Sequence, residues 1–158
     1  MVNSSRILLI GSNGQVGWEL ARSLMPLGRV IVPERGQCDL ARPDTLTALV
    51  NLLRPDLIVN AAAYTAVDKA EDETDLAMTV NARAPGALAA AAHRHSALLV
   101  HYSTDYVFDG TKVGAYSETD MPNPRSAYGR SKLAGEEAIR AAGADHLIFR
   151  TSWVFAAR

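Results

Sequence analysis

Cysteine is nearly missing from this chain: Cys38 is the single one among 158 residues, which excludes an internal disulfide. That agrees with a reducing compartment. A thiol becomes a good nucleophile only where an electropositive neighbour lowers its pKa, and no histidine stands near Cys38 in sequence, so a small packing residue is the expected role. Long apolar runs are missing too. None approaches the roughly 18 residues of a membrane-spanning helix, and Met1 to Arg6 lacks the apolar core of a secretory signal. No membrane partner is expected, and the expected location is cytoplasmic. Charge of one sign is not in excess: 16 basic side chains face 17 acidic ones, for a net charge of −1, without a Lys/Arg cluster. No nucleic-acid partner is expected on that balance. The four histidines, His93, His95, His101 and His146, show no metal-ligand spacing, and no metal site is expected within the chain. Internal repeats, low-complexity linkers and a second core are absent as well.

What is present is ordinary for a globular domain, with 48% apolar and 21% charged residues. The length corresponds to about one domain. Arg6 to Ile10 is a short apolar run ending at Gly11, and Gly14 to Met25 then places Val16, Leu20 and Leu24 at helical spacing. Arg29 to Pro33 reads as a second strand, reaching Glu34 at its end. Pro43 to Leu53 reads as a helix with proline in its first turn. Asp56 to Asn60 gives a third strand, Asp75 to His95 a long Ala-rich helix, and Ala97 to Ser103 a fourth strand. Asp105 to Arg125 carries loop chemistry, Ser126 to Ala142 a helix, and His146 to Arg150 a final strand. Continuous apolar strands separated by helices imply a parallel sheet with helices on both faces, a doubly wound α/β fold of Rossmann type. The charge-rich stretch Asp68 to Asp75 reads as a solvated face ahead of the long helix.

Gly11, Gly14 and Gly17 punctuate the first strand-to-helix turn. Glycine there lets backbone amides at a helix N-terminus approach an anionic pyrophosphate without Cβ obstruction. The spacing departs from GxGxxG. An acid about 20 residues past the first glycine is where ribose hydroxyls need an acceptor, and Glu34 stands near that spacing. Arg35 beside it has the charge to meet a 2′-phosphate, so NAD and NADP both remain open.

Tyr128 and Lys132 lie four apart on an expected helix and so share one face. A free phenol titrates near 10, and a cation within about 4–6 Å brings it down, which would make Tyr128 a usable acid. Thr104 follows the fourth strand, where open α/β sheets place ligands, and its hydroxyl can polarise a carbonyl; Ser103 competes for that role.

These segments, together with NAAAYTAVDKAE (Asn60 to Glu71), HYSTDYVFDG (His101 to Gly110), YGRSKLAGE (Tyr128 to Glu136) and RTSWVF (Arg150 to Phe155), resemble the dTDP-4-dehydrorhamnose reductases of the extended short-chain dehydrogenase/reductase family. The resemblance implies that Gln15 and Val16 join the glycines at the pyrophosphate, and that Asp39 and Leu40 flank the adenine. It implies that Ala63, Tyr64, Thr65 and Tyr102 line the rest of the cofactor groove with Tyr128 and Lys132. Thr104, Asp105 and Trp153 would contact the sugar nucleotide. Related dehydratases carry Glu after the Thr-Asp pair, and Tyr106 at that place disfavours dehydration.

The implied activity is reduction of dTDP-4-dehydro-L-rhamnose to dTDP-L-rhamnose with NADPH or NADH, Thr104, Tyr128 and Lys132 being catalytic. The alternatives are a non-catalytic NADP-binding regulatory subunit of the methionine adenosyltransferase type, or another sugar-nucleotide reductase or epimerase. The family also binds magnesium at a dimer contact, where Glu19 matches one carboxylate. Mg2+ is therefore expected only in a longer, homodimeric form, and Glu19 reads as a solvated helix charge. Residues 1–158 are expected to be the NAD(P)-binding domain, with a C-terminal substrate domain outside this sequence and little activity without it.

Overall fold

A computed structural model describes residues 4–34 and 36–155. Five parallel strands form one sheet: β1 (Ser5–Ile10), β2 (Gly28–Ile31), β3 (Leu57–Asn60), β4 (Leu98–Thr104) and β5 (His146–Thr151), in the spatial order β2-β1-β3-β4-β5. The order reverses between β1 and β3. Chain leaving β1 turns one way and chain leaving β3 the other, which opens a crevice at the carboxyl ends of the strands.

Successive β1 residues face opposite sides of the sheet. Leu8 and Ile10 join Ile58 and Leu99 beneath α2 (Pro43–Leu53), α5 (Ala84–Arg94) and α6 (Ala127–Ala141), whereas Ile7, Leu9 and Val59 meet Leu20 and Leu24 in and beyond α1 (Gln15–Ser23). Helices thus lie on both faces, as the sequence predicts. Over β4 and β5 the α1 side is thinner: Leu147 and Phe149 are about half exposed, and Phe149 leans on Tyr102 at 5.9 Å between ring centres.

Three expectations change. β2 stops at Ile31 rather than reaching Glu34, because Pro33 has no N–H for a strand ladder and the Glu34 carbonyl instead closes a turn with the amides of Gln37 and Cys38. The single long helix is interrupted. α4 (Thr74–Met78) runs through a π-helical turn, Thr79–Arg83, before α5, and the wider turn carries Asn81 into the interior. The charge-rich stretch is more than a solvated face. It contains α3 (Lys69–Asp72), and the Glu71 carboxylate accepts the Ala127 N–H at 2.7 Å, capping α6 jointly with Ser126, whose hydroxyl accepts from Gly129 N–H.

α6 crosses the π-helical turn at Gly135, where a Cβ would fall inside van der Waals contact with the Asn81 carbonyl oxygen. Gly135→Ala should therefore push α6 off the turn and cost about 1–3 kcal/mol, the range for overpacking. Urea denaturation measures it, and an unchanged midpoint would contradict this contact.

Candidate active site

The crevice is a cleft of about 1150 Å³ running from the Gly11 turn to Trp153. At one end, Gly11 adopts φ +88°, and its missing Cβ leaves room for the Ala62 backbone, which would otherwise lie 2.5 Å away. Gly17 is buried under the same turn, its Cα against the Gly11 carbonyl; it serves helix-to-turn packing and does not line the cleft. Gly14, Gln15 and Val16 do line it. α1 begins there without a side-chain cap and without an acid in its first turn, so its first amides face the cleft unneutralised.

Asp39 and Leu40 form the wall beside this turn together with Cys38. The Asp39 carboxylate accepts from Ala41 N–H and pairs with Arg42. Cys38 is buried, and burial, aided by Asp39, pushes its thiol up to about 11, which leaves it inert. Glu34 is exposed and is not in the wall. Arg35 lies outside the described residues. Glu19 is paired with Arg22 at 2.7 Å, and among the described residues no three acidic, His or Cys side chains converge on a metal position.

Ala63, Tyr64 and Thr65 form the floor beyond β3. Asn81 holds this segment from below: the Tyr64 N–H donates to Asn81 Oδ1 at 2.9 Å, and Asn81 Nδ2 donates to the Tyr64 carbonyl and to Ser131 Oγ, both at 3.0 Å. Ser131 in turn donates to the Tyr128 carbonyl. The floor and α6 are thereby tied through one side chain. The Tyr64 phenol donates to Glu73 at 2.6 Å, and that bond pushes its pKa up to about 12.

Tyr102, Thr104, Asp105, Tyr128 and Lys132 meet at the centre. Thr104 closes β4; its hydroxyl donates to Asp105 and accepts from Tyr106 N–H. Ser103, its competitor, donates its hydroxyl to buried Glu136 at 2.6 Å and is committed there. Tyr106 meets Tyr128 edge to face at 5.7 Å. Trp153 stands at the outer rim, 79% exposed.

The expected lowering of the Tyr128 phenol is not what the structure has. Burial pushes that phenol up, partly offset by the Thr104 hydroxyl, with Asp105 and Tyr106 adding to the rise. Lys132 does not supply the opposing charge because its amine turns away, donating to the Tyr102 carbonyl at 2.6 Å and lying 3.3 Å from His101 Nε2. Burial lowers Lys132 to about 8 despite Glu136, which favours the charged form. Tyr128 is therefore a protonated phenol at neutral pH and Lys132 a cation close to its midpoint.

Sequence reasoning missed the buried residues that hold this centre. Glu136, fully buried, accepts from Ser103, from Arg140 and twice from Arg150, which lie on β4, α6 and β5. Its position four residues after Lys132 was a readable signal for a shared helix face. Asn60 and His101 are polar residues inside apolar strand runs, and such a break in pattern marks a buried partner.

The family model described as "RmlD substrate binding domain" matches residues 5–158. The dTDP-4-dehydrorhamnose reductase of Burkholderia thailandensis is 59% identical over 153 residues, covering 97% of this chain and 51% of the relative. That of Salmonella typhimurium is 53% identical, covering 96% and 52%. The chain thus spans about half the length of these relatives. The crystal structure of dTDP-4-dehydrorhamnose reductase from Bacillus anthracis in complex with NADP superposes with a TM-score of 0.92 at 36% identity, covering 98% of this chain and 56% of that one.

Burial works to raise the Glu136 carboxyl, but its hydrogen bonds from Arg150, Ser103 and Arg140 win and hold it below the usual range. Its contribution to stability is then complete above about pH 4.3, where the unfolded carboxyl titrates, and is lost as pH falls through the lower folded value. Glu136→Gln should cost about 3 kcal/mol or more at pH 7 by leaving Arg150 uncompensated. The variant's urea stability should also fall less steeply below pH ~4.3; an acid profile as steep as the parent's would refute the assignment.

Proposed function

Since the chain belongs to the RmlD substrate binding domain family, we propose that it is the dinucleotide-binding part, residues 1–158, of a reductase that converts dTDP-4-dehydro-L-rhamnose to dTDP-L-rhamnose. The observation that carries this reading is a single cleft containing both the uncapped glycine turn of α1 and the Thr104, Tyr128 and Lys132 centre. The Bacillus anthracis reductase in complex with NADP supports a nicotinamide dinucleotide as the occupant. NADPH or NADH, when bound, supplies the hydride for the C4 ketone.

The chain's own residues do the rest. The amides of Gln15 and Val16, with Gly11 and Gly14, would hold the pyrophosphate, and Asp39 and Leu40 the adenosine end. Ala63, Tyr64, Thr65 and Tyr102 would border the nicotinamide half. Glu34 remains a ribose acceptor only by turning inward from its exposed position. Thr104 would orient the substrate carbonyl, with Asp105 and Trp153 along the sugar nucleotide. Tyr128 would donate its proton to the developing alkoxide, and its raised pKa keeps that proton in place until a base far stronger than phenolate forms. Lys132 would stand beside the nicotinamide ribose, with the Tyr102 carbonyl fixing its amine and Glu136 favouring its charge. The substrate half, and any homodimer, belong to the longer protein.

Two measurements test this. A Cβ at Gly14 meets only the Gly11 carbonyl at an ordinary 3.5 Å, so Gly14→Val should fold normally while its side chain blocks the anionic ligand. Calorimetry with NADPH should show binding to the parent chain and at least tenfold weaker binding to the variant; no binding by the parent overturns the cofactor assignment. In a protein of the relatives' full length, Tyr128→Phe should lower turnover of the ketone by ~10²-fold or more, with NADPH affinity unchanged. Parental turnover in that variant would remove Tyr128 as proton donor.

A further inference from the structure

Two of the buried polar residues noted above form a hydrogen-bond chain whose order follows from one backbone contact. Asn60 closes β3 and His101 lies opposite it on β4, in the register Asn60↔His101. Both have no exposed surface. Asn60 Oδ1 accepts the Ala62 N–H at 3.2 Å, which fixes the orientation of the amide, because the reverse orientation would set an NH2 group against an N–H. Asn60 Nδ2 then faces His101 Nδ1 at 3.1 Å and must donate to it. A neutral imidazole that accepts at Nδ1 carries its proton on Nε2. That Nε2 lies 3.3 Å from Lys132 Nζ.

We propose that Asn60 and His101 are positioning residues that set the protonation of Lys132: Asn60 fixes His101 as the Nε2–H tautomer, and the ring donates this proton to the lysine amine, favouring its neutral form. An ammonium at the same place would confront an N–H with an N–H, and relief would require the amide to turn and give up the Ala62 bond. The other groups around the amine do not reverse this preference. On β4 the Tyr102 carbonyl accepts from Lys132 in either charge state. On α6, Tyr128 is an uncharged phenol, and Glu136, one turn beyond the lysine, favours the ammonium with a charge already shared among Arg140, Arg150 and Ser103. In the turn just after β4, Asp105 acts on Tyr128. The imidazole itself stays neutral, since burial, with Lys132 adding to it, drives its pKa well below the usual value. The consequence for catalysis, a rate that changes with pH through Lys132, rests on the reductase reading; the tautomer and the titration do not.

The test therefore uses the chain without cofactor or substrate. NMR of protein labelled with 15N in the histidine rings and lysine amines should show, above pH 8, His101 protonated at Nε2 and bare at Nδ1. Lys132 should titrate with a midpoint near 8, and the His101 Nε2 resonance should move with that same midpoint. Asn60→Asp keeps the acceptor for Ala62 N–H but presents a carboxylate oxygen to the ring, which should transfer the proton to Nδ1 and turn Nε2 into an acceptor. The Lys132 midpoint should then rise by more than one unit, a gain of at least tenfold in proton affinity. A proton on Nδ1 in the parent chain, which needs no variant to observe, overturns the proposal. So does an unmoved Lys132 midpoint in folded Asn60→Asp. Failure of NADPH to bind would instead strike only the function proposed above.

Discussion

A carboxylate with no exposure, Glu136, governs the geometry of the site. An ionised group so placed must be compensated, and its partners come from three elements: Ser103 near the end of β4, Arg140 one turn along α6, and Arg150 near the end of β5, which grips it with two nitrogens. Meeting all of them at once leaves α6 little freedom to slide or rotate over the strands. Tyr128 and Lys132 are on the same helix, two turns and one turn before Glu136, so their placement at the carboxyl end of β4 follows from the clamp. Ser103 is consumed in making it, which leaves Thr104 as the β4 hydroxyl that faces the cleft beside Tyr128.

The second constraint is the close approach of α6 to the π-helical turn. Gly135 removes the side chain that would separate them, and Asn81, carried inward by the wider turn, uses both ends of its amide. Both ends fix the backbone of Tyr64 on the cleft floor, Oδ1 accepting its N–H and Nδ2 donating to its carbonyl. Nδ2 also reaches Ser131, between Tyr128 and Lys132. A regular α-helical turn in this place would rotate position 81 relative to the floor, and Tyr64 would lose its pairing with Asn81. Floor and α6 are therefore located against each other by packing and by one amide, while the clamp locates the helix against the sheet.

The alternation of apolar strands with helices was legible because burial on both faces writes itself into sequence as continuous apolar runs, and every strand and every long helix except the interrupted one was placed within a few residues. The glycine turn was legible for a steric reason, since Gly11 needs both its positive φ and the space of its absent Cβ. The π-helical turn was not legible. Thr79–Arg83 carries no sequence mark of a π-helical turn, and its wider turn serves contacts with Tyr64, beyond β3, and with α6 that are distant in sequence. The Tyr128 and Lys132 pair was found from spacing, but spacing fixes only which face of a helix two residues share. It does not say where a lysine amine points, and here a backbone carbonyl and an imidazole draw it away from the phenol.

That redirection changes what the pair can do. Had the ammonium faced Tyr128, it would have favoured the phenolate and prepared a base. Facing Tyr102 and His101 instead, it leaves the phenol in a half-apolar setting where burial favours the protonated form. The same burial lowers the lysine, so the two groups are driven toward their neutral forms together, one by retaining a proton and the other by losing it. A centre with a neutral acid and a readily discharged cation adds little fixed positive charge of its own. At the other end of the cleft, the amides of α1, with no side-chain cap and no acid in the first turn, offer attraction for an anionic ligand. In the proposed reductase, phosphate binding and proton transfer would thus fall to separate parts of one crevice, each with the electrostatics its task requires.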